Sequence, residues 1–593
     1  ETLVIAAAGT AVVAFVTGGL TGPIALAAPA LLALVVGLLL AHATVPVASA
    51  AGRGLLRRGR VRLGVSVLDA ARSPATRRTV AILTVATALL VFSADALLVG
   101  SRNRADAAEQ QAGAPLVTNV LGNDLGTVRK VLRRVDPKGK AVTPVVAISS
   151  PDAGAAGVLA VVPDAFQRIA LFPGQTATDI AWQKLAPPNV SPIRVRGTRI
   201  TGRVATSQLS VSGPGGDVAP TLALEVVDDT NSTLDVPLGK VRTGDHHRRF
   251  SGTLHCRTGC LLSALRFDTF PGGSISGTLS LSGVRAGGTS VRLGGGSGWN
   301  SVKDPQTGHT SVTVTGSSDR LNVGLVETES NTVSVHQASF PSRIPAITTG
   351  KLPPGSRGSS FTTTGIDGLN RDATQVARVP RVPASGPDTA LVNLDLVQRG
   401  SVVDPNDRIT LWFAHDDPAA LSRVSNALRA TGVAVVDPTS LADQRRVYDQ
   451  STAAWSLQLA AVVGMTGLLT AILALLVIAV TTWRLRSRDL AALRMSGLGR
   501  RSIGWIAVAE HLIAVGLAVV AGAVCGLVGA HFALPTVPLF ATAPEVSTLD
   551  LSTAWAAVGI ASAIAAVVLA AVAWLTGQAI ARRSVLQRVR ESL

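Results

Sequence analysis

The chain has 593 residues, of which 47% are hydrophobic and only 15% charged, with a mean hydropathy of +0.39. Soluble proteins carry about 25% charged residues, so this composition excludes a wholly soluble chain, and the length points to several domains. Of the net charge of +17, +15 lies in 53–78, 484–501 and 582–593, each beside a long apolar run; that is the positive-inside pattern and not a nucleic-acid-binding face.

Six apolar runs reach the roughly 20 residues that a membrane span needs: Thr2–Leu20, Pro23–Ala41, Thr79–Val99, Ala453–Thr482, Ile503–Ala533 and Ser552–Ala581. Thr21-Gly22-Pro23 makes the first two a tight hairpin. No basic stretch precedes the first run, and the chain opens at Glu1, so it reads as the trailing part of a longer protein and not as a signal peptide. The Arg-rich stretches place 42–78, 484–502 and 582–593 in the cytoplasm. Residues 533–551 hold no Lys or Arg and face outward. Residues 101–452 are then extracytoplasmic in a multi-pass cell-membrane protein.

The outer region changes character along its length. Asn123-Asp124 can cap a helix with the apolar stripe Leu125, Val128, Leu132 and Val135, followed by strands Val142–Ile148 and Val158–Val162. The same grammar returns late: strand Ile409–Phe413, helix start Asp416-Asp417-Pro418, stripe Leu421, Val424 and Leu428, stop Thr431-Gly432, strand Val433–Val436. Between these α/β halves, 190–345 is rich in Gly, Ser, Thr and Val. It offers strands Thr221–Val227, Phe250–Leu254, Leu261–Thr269, Ser274–Leu281, Ser311–Val314 and Asn322–Leu325, which predict a jelly-roll-like β-sandwich inserted into a split α/β domain. The expected fold class is therefore an α-helical membrane protein with six transmembrane helices and a large extracytoplasmic α/β domain carrying that insert. Its parts run 1–46 hairpin, 47–78 Arg-rich segment, 79–100 span, 101–189 stalk and first half, 190–345 insert and 346–452 second half and stalk. There follow 453–483 span, 484–502 coupling segment, 503–533 span, 534–551 outer loop, 552–581 span and 582–593 tail. Ser101–Gln111 and Pro438–Gln450 are expected as helical stalks, the latter running without a breaker into its span.

Cys256 and Cys260 lie in the insert. Outside the cytoplasm they are expected as a small disulfide loop; His246, His247 and His255 nearby leave a metal as the alternative, without a second ligand pair. Cys525, inside a span, reads as a small packing residue. No P-loop, Gly-x-Ser-x-Gly elbow or His-Glu-x-x-His occurs, so no catalytic residue and no cofactor are assigned to this chain.

Two features carry information. Arg484–Arg501 sets Leu490, Leu493 and Met495 among Arg488, Asp489 and Arg494, which predicts a short amphipathic helix ended by Gly497 and docking on a cytoplasmic partner. After it, a membrane helix carries Glu510 early, then Ala518, Gly522, Gly526 and Ala530. A small residue at every fourth position lets another helix come close, and an intramembrane Glu faces a bundle interior.

At these residues the sequence resembles the permease signature of FtsX-like ABC transporter subunits (the FtsX, MacB and LolC group). That pattern is Arg-x-Arg-Glu-h-Ala-h-Leu-Arg-Ala-hydrophobic-Gly, then a helix with an early Glu and repeated Gly. Here Asp489 stands for the Glu and Met495-Ser496 for Ala-hydrophobic, while Arg488, Arg494 and Gly497 are kept. Leu68–Arg78 is similar to the family's amphipathic segment ahead of the outer domain, and the hairpin at 2–41 is similar to the middle pair of ten-span members. The resemblance covers about 130 residues at the end and about 40 before the outer domain; it does not cover the insert. It implies a cytoplasmic ATP-binding subunit as partner, with ATP bound there, membrane lipids around the helices, and a protein, lipid or glycan partner outside. Such machines export or extract lipid, lipoprotein or peptide, or signal mechanically to an outer partner. The rival reading is a membrane-anchored adhesion receptor whose insert binds glycan or protein, with Trp299 as the aromatic platform.

Overall fold

The computed structural model describes residues 10, 28–60, 64, 66–68, 74–122, 124–149, 157–186, 189–212, 219–268, 274–303, 310–327, 332–340, 343–495, 499–546 and 549–582. Thr10 apart, the expected span Thr2–Leu20 and its Thr21-Gly22-Pro23 turn lie outside the described residues, as does Asn123. The chain forms two compact units, Glu1–Ala107 with Arg445–Leu593, and Ala108–Gln444.

Among the described residues, five helices of the first unit are long and apolar enough to cross a membrane: Ala28–Arg57, Pro74–Ala112, Thr452–Met495, Arg500–Ala533 and Trp555–Arg582. Three overrun the expected spans. The first continues through Pro46 to Arg57, because 42–52 carries no formal charge and the single backbone bond that a proline removes is tolerated among neighbouring helices. Pro74–Ala112 has 39 residues, about 58 Å at 1.5 Å per residue, nearly twice the roughly 30 Å hydrocarbon core. Thr452–Met495 has 44 residues, about 66 Å. Trp455 and Trp555 are exposed near the starts of their helices, and Trp574 follows Trp555 by 19 residues, about 29 Å, so exposed tryptophans bracket one bilayer thickness.

In the second unit the two α/β halves share one nine-stranded sheet. Its order is Ser360–Thr364, Asn370–Arg378, Ile344–Thr348, Thr389–Asn393, Gly157–Val161, Val142–Ile148, Arg408–Phe413, Leu116–Leu121, Ala434–Ser440. Each half inserts a strand into the other. Arg408–Phe413 lies antiparallel between Val142–Ile148 and Leu116–Leu121, and Leu116–Leu121 lies between Arg408–Phe413 and Ala434–Ser440. This is a split βαβ pair, in which neither half has a complete sheet alone. Helix Leu125–Val135 starts where Asp124 accepts the Thr127 amide at 2.9 Å, and hydrogen bonding from the Thr127 side chain, then from its amide, holds the Asp124 carboxyl below the usual range. Helix Pro418–Arg429 starts with Asp417 accepting from Ala419. Leu125, Val128, Leu132, Val424 and Leu428 form one core with the sheet residues Val146, Ile409 and Leu411. On the opposite face Trp412, Phe166 and Trp182 pack with Val145 and Val161.

The insert is a ten-stranded antiparallel sheet from Arg194–Ser212 to Thr332–His336. Leu224 near one end of its strand order and Leu321 near the other line a single internal cavity, so the sheet curls around one core. Two predicted strands, Phe250–Leu254 and Leu261–Thr269, are one strand, Gly244–Asp268. The expected boundary at 345 falls inside host strand Ile344–Thr348, which is hydrogen-bonded on both sides. Its five residues look like any other short apolar run, and only pairing assigns it to the host. The insert's ends meet, since Gln337 Nε2 donates to Ser191 O at 3.3 Å.

Candidate functional site

Pro74–Ala112 is the central helix of the first unit. The most apolar window of its span is 61% buried, against 17% to 44% for the other four. Its neighbours reach it through small residues. A Cβ on Gly37 would stand 3.2 Å from Ala81 O. One on Gly522 would stand 2.7 Å from Thr84 O, and one on Gly526 2.8 Å from Ala88 O. Ala518 is fully buried beside Leu83 and Ala86, and Ala530 packs with Phe92, Ala96 and Val99. The stripe Ala518, Gly522, Gly526 and Ala530 is thus a seam on the central helix. Cys525 is a free thiol beside it, buried against Ala33 and Ala88. The side chain of Glu510 lies outside the described residues.

Towards its C-terminal end the central helix carries a polar collar. Asp95 is 1% exposed and accepts the Ala554 amide at 2.7 Å, at the N-terminus of Trp555–Arg582, where a carboxylate meets the positive end of the helix dipole. Asn103 donates to Asp550 O at 2.9 Å and accepts the Asp550 amide at 2.8 Å. Arg102 pairs with the Asp550 carboxylate at 3.1 Å and donates to Ser552 O at 2.8 Å. Hydrogen bonds from Ser552 hold the Asp550 carboxyl below its usual range. Arg104 is 3% exposed and pairs at 3.4 Å with Asp449, whose own side chain is 62% exposed.

Asp449 ends the helix Leu441–Asp449. The stalk expected to run unbroken into its span is instead two helices. Ser451 Oγ donates to Tyr448 O at 2.6 Å and accepts the Ala454 amide at 3.3 Å, so it closes one helix and caps the next. Tyr448 also meets Phe540 edge-on at 6.0 Å. The other stalk, 101–111, is continuous with its span. Sequence reasoning noticed Asp95 and missed its companions. The available signal was spacing: 102 and 103 follow 95 by seven and eight positions, which is one helix face.

The Arg-rich segment is no separate short helix. Thr452–Met495 carries the span straight through 484–495, and a new helix starts at Arg500 after Gly499. Leu490, expected on the docking face, is 4% exposed and packs with Ala479, Ile503, Ile506 and Ile580. The side chains of Arg488, Asp489, Leu493 and Arg494, and all of Gly497, lie outside the described residues.

In the insert the sulfurs of Cys256 and Cys260 are bonded, with Cα atoms 5.4 Å apart. Four residues of regular strand would span about 13 Å. The strand bulges here, with Cys256 and Cys260 facing Gly197 and Val195, only two residues apart, and Gly259 supplies the turn at φ +112°. Bonded sulfurs offer no thiolate to a metal. Trp299, the expected aromatic platform, is 4% exposed and its indole N–H donates to Leu293 O at 2.7 Å, so it is core and presents no ring face to a sugar.

The sequence matches no protein-family model and no curated protein.

Proposed function

We propose that this chain is the membrane-spanning permease subunit of an FtsX-like ABC transporter, and that it does no chemistry itself. ATP is bound and hydrolysed by a separate cytoplasmic subunit, and the chain converts closure of that subunit into movement of its α/β unit and insert on the far side. The class of work is export or extraction of lipid, lipoprotein or peptide, or mechanical signalling to an outer partner. In this reading 484–502 is cytoplasmic and 101–452 extracytoplasmic.

The observation that carries the reading is the single helix Thr452–Met495. A rod about 36 Å longer than the hydrocarbon core, with the Arg-rich segment as its own end, moves as one piece when that end is pushed. Its other end meets the Ser451 break beside the Arg104–Asp449 pair. A buried guanidinium held by an exposed carboxylate is costly to leave unpaired yet open to rearrangement, which suits a joint. Because Leu490 is taken up in packing, docking falls to 488, 489 and 494.

Charge reversal at Arg488 and Arg494 tests this. Association with the ATP-binding subunit and stimulation of its ATPase activity fall, while membrane insertion is unchanged. Undiminished complex yield and ATPase stimulation in the double variant would refute docking at this segment.

A further inference from the structure

We propose that one exposed face of the insert's ten-stranded sheet binds a linear anionic polysaccharide through a row of arginines. Arg203 lies directly opposite Arg249 on one neighbouring strand and Ser282 on the other, and Ser282 lies opposite Arg320. The four residues form one row across four adjacent strands, about 14 Å from end to end at the usual strand spacing. All three arginines are exposed, and among the described residues none has an ion-pair or hydrogen-bond partner.

Cross-strand neighbours stand with Cβ atoms about 5 Å apart, and like charges there oppose folding. Arg203 facing Arg249 is therefore a local cost without an internal return, and an anion between them would relieve it. The adjoining row runs His247, Ala205, Ser280, Asn322 and Thr315, so the arginines are bordered by hydroxyl and amide groups, with an imidazole beside Arg249. Asp245 and Asp319 stand at the margins, and Asp245 is engaged by the Gln208 amide.

The chemistry narrows the partner. Among the described residues this face carries no Phe, Tyr or Trp beside the row, and the imidazole of His247 next to Arg249 is too small to stack a run of bases, which disfavours single-stranded nucleic acid. It has no large apolar anchor in its middle, with Val326 exposed only at its far edge; this disfavours a membrane surface and a protein hot spot. A hydroxyl-rich outer surface crossed by guanidinium forks suits a hydroxylated polymer with regularly spaced carboxylates. The proposal rests on the outward placement of the insert but not on ATPase docking, so failure of either leaves the other standing.

The test uses the full chain in detergent, with polygalacturonate as probe and dextran, single-stranded DNA and anionic-lipid vesicles as comparisons. Polygalacturonate is retained and dextran is not. Arg203→Glu, which sets a carboxylate against Arg249, weakens retention about tenfold or more while the thermal midpoint holds or rises. Should that variant fail to fold, Arg320→Ser, at the other end of the row, carries the test with the same expected direction. No retention by the unaltered chain, unchanged retention by the folded variants, or equal competition by DNA or vesicles overturns the proposal.

Discussion

The glycine seam makes the most discriminating prediction, because the same helix supplies its own control. A Cβ on Gly522 would stand 2.7 Å from both Thr84 O and the Thr87 Cβ, and one on Gly526 2.8 Å from Ala88 O, whereas one on Gly516 meets nothing within 4 Å. Ordinary contact begins near 3.4 Å, so Gly522→Ala forces the two helices apart by about 0.7 Å, and such overpacking costs about 1–3 kcal/mol. All three substitutions recover about 1 kcal/mol of helix propensity. Gly516→Ala should therefore stabilise by about 1 kcal/mol, whereas Gly522→Ala falls between no net change and a loss of about 2 kcal/mol. The double Gly522→Ala, Gly526→Ala variant should lose more than either single. Cys525 supplies a local assay, since it is buried beside the seam and the other two cysteines are bonded to each other. Its rate of thiol labelling in the detergent-solubilised chain should rise in the Gly522 and Gly526 variants and stay unchanged in Gly516→Ala, in step with the thermal midpoints. Equal behaviour of all three variants would refute the seam.

Asp407 is 8% exposed, and burial, reinforced by the Asp404 and Asp367 carboxylates and opposed by the Ser149 amide, lifts its pKa from 3.8 to about 6. A carboxyl that binds its proton more tightly when folded stabilises the fold at low pH, and that contribution is lost as pH rises from about 4 through about 6, at most about 3 kcal/mol. Asp407→Asn should flatten this part of the stability–pH profile and gain stability above pH 6; an unchanged slope across that window in chemical denaturation would contradict the burial argument. Replacing 192–336 with a short Gly/Ser linker should leave the nine-stranded sheet folded, because Ser191 and Gln337 already touch. Loss of its cooperative melting transition by circular dichroism would show that the insert belongs to the host core.

The sequence was informative wherever short-range physics decides. Apolar run length located the long helices, and period and caps located helices Leu125–Val135 and Pro418–Arg429 with their buried stripes. Small-residue spacing picked out Ala518, Gly522, Gly526 and Ala530 as a packing seam, and compartment and spacing together favoured joining Cys256 to Cys260. It could not say what the seam packs against, because Thr84, Thr87 and Ala88 lie more than 400 positions away and no local rule links them. Helix ends were misjudged for a related reason: nothing polar stops a helix at a membrane face, so Thr452–Met495 continues through the Arg-rich segment and buries Leu490. Only the fold turned Trp299 inward, since an aromatic beside glycines reads equally well as platform or core. Only the register set Arg203 opposite Arg249, because strand partners are chosen by long-range pairing that a one-residue slip would undo.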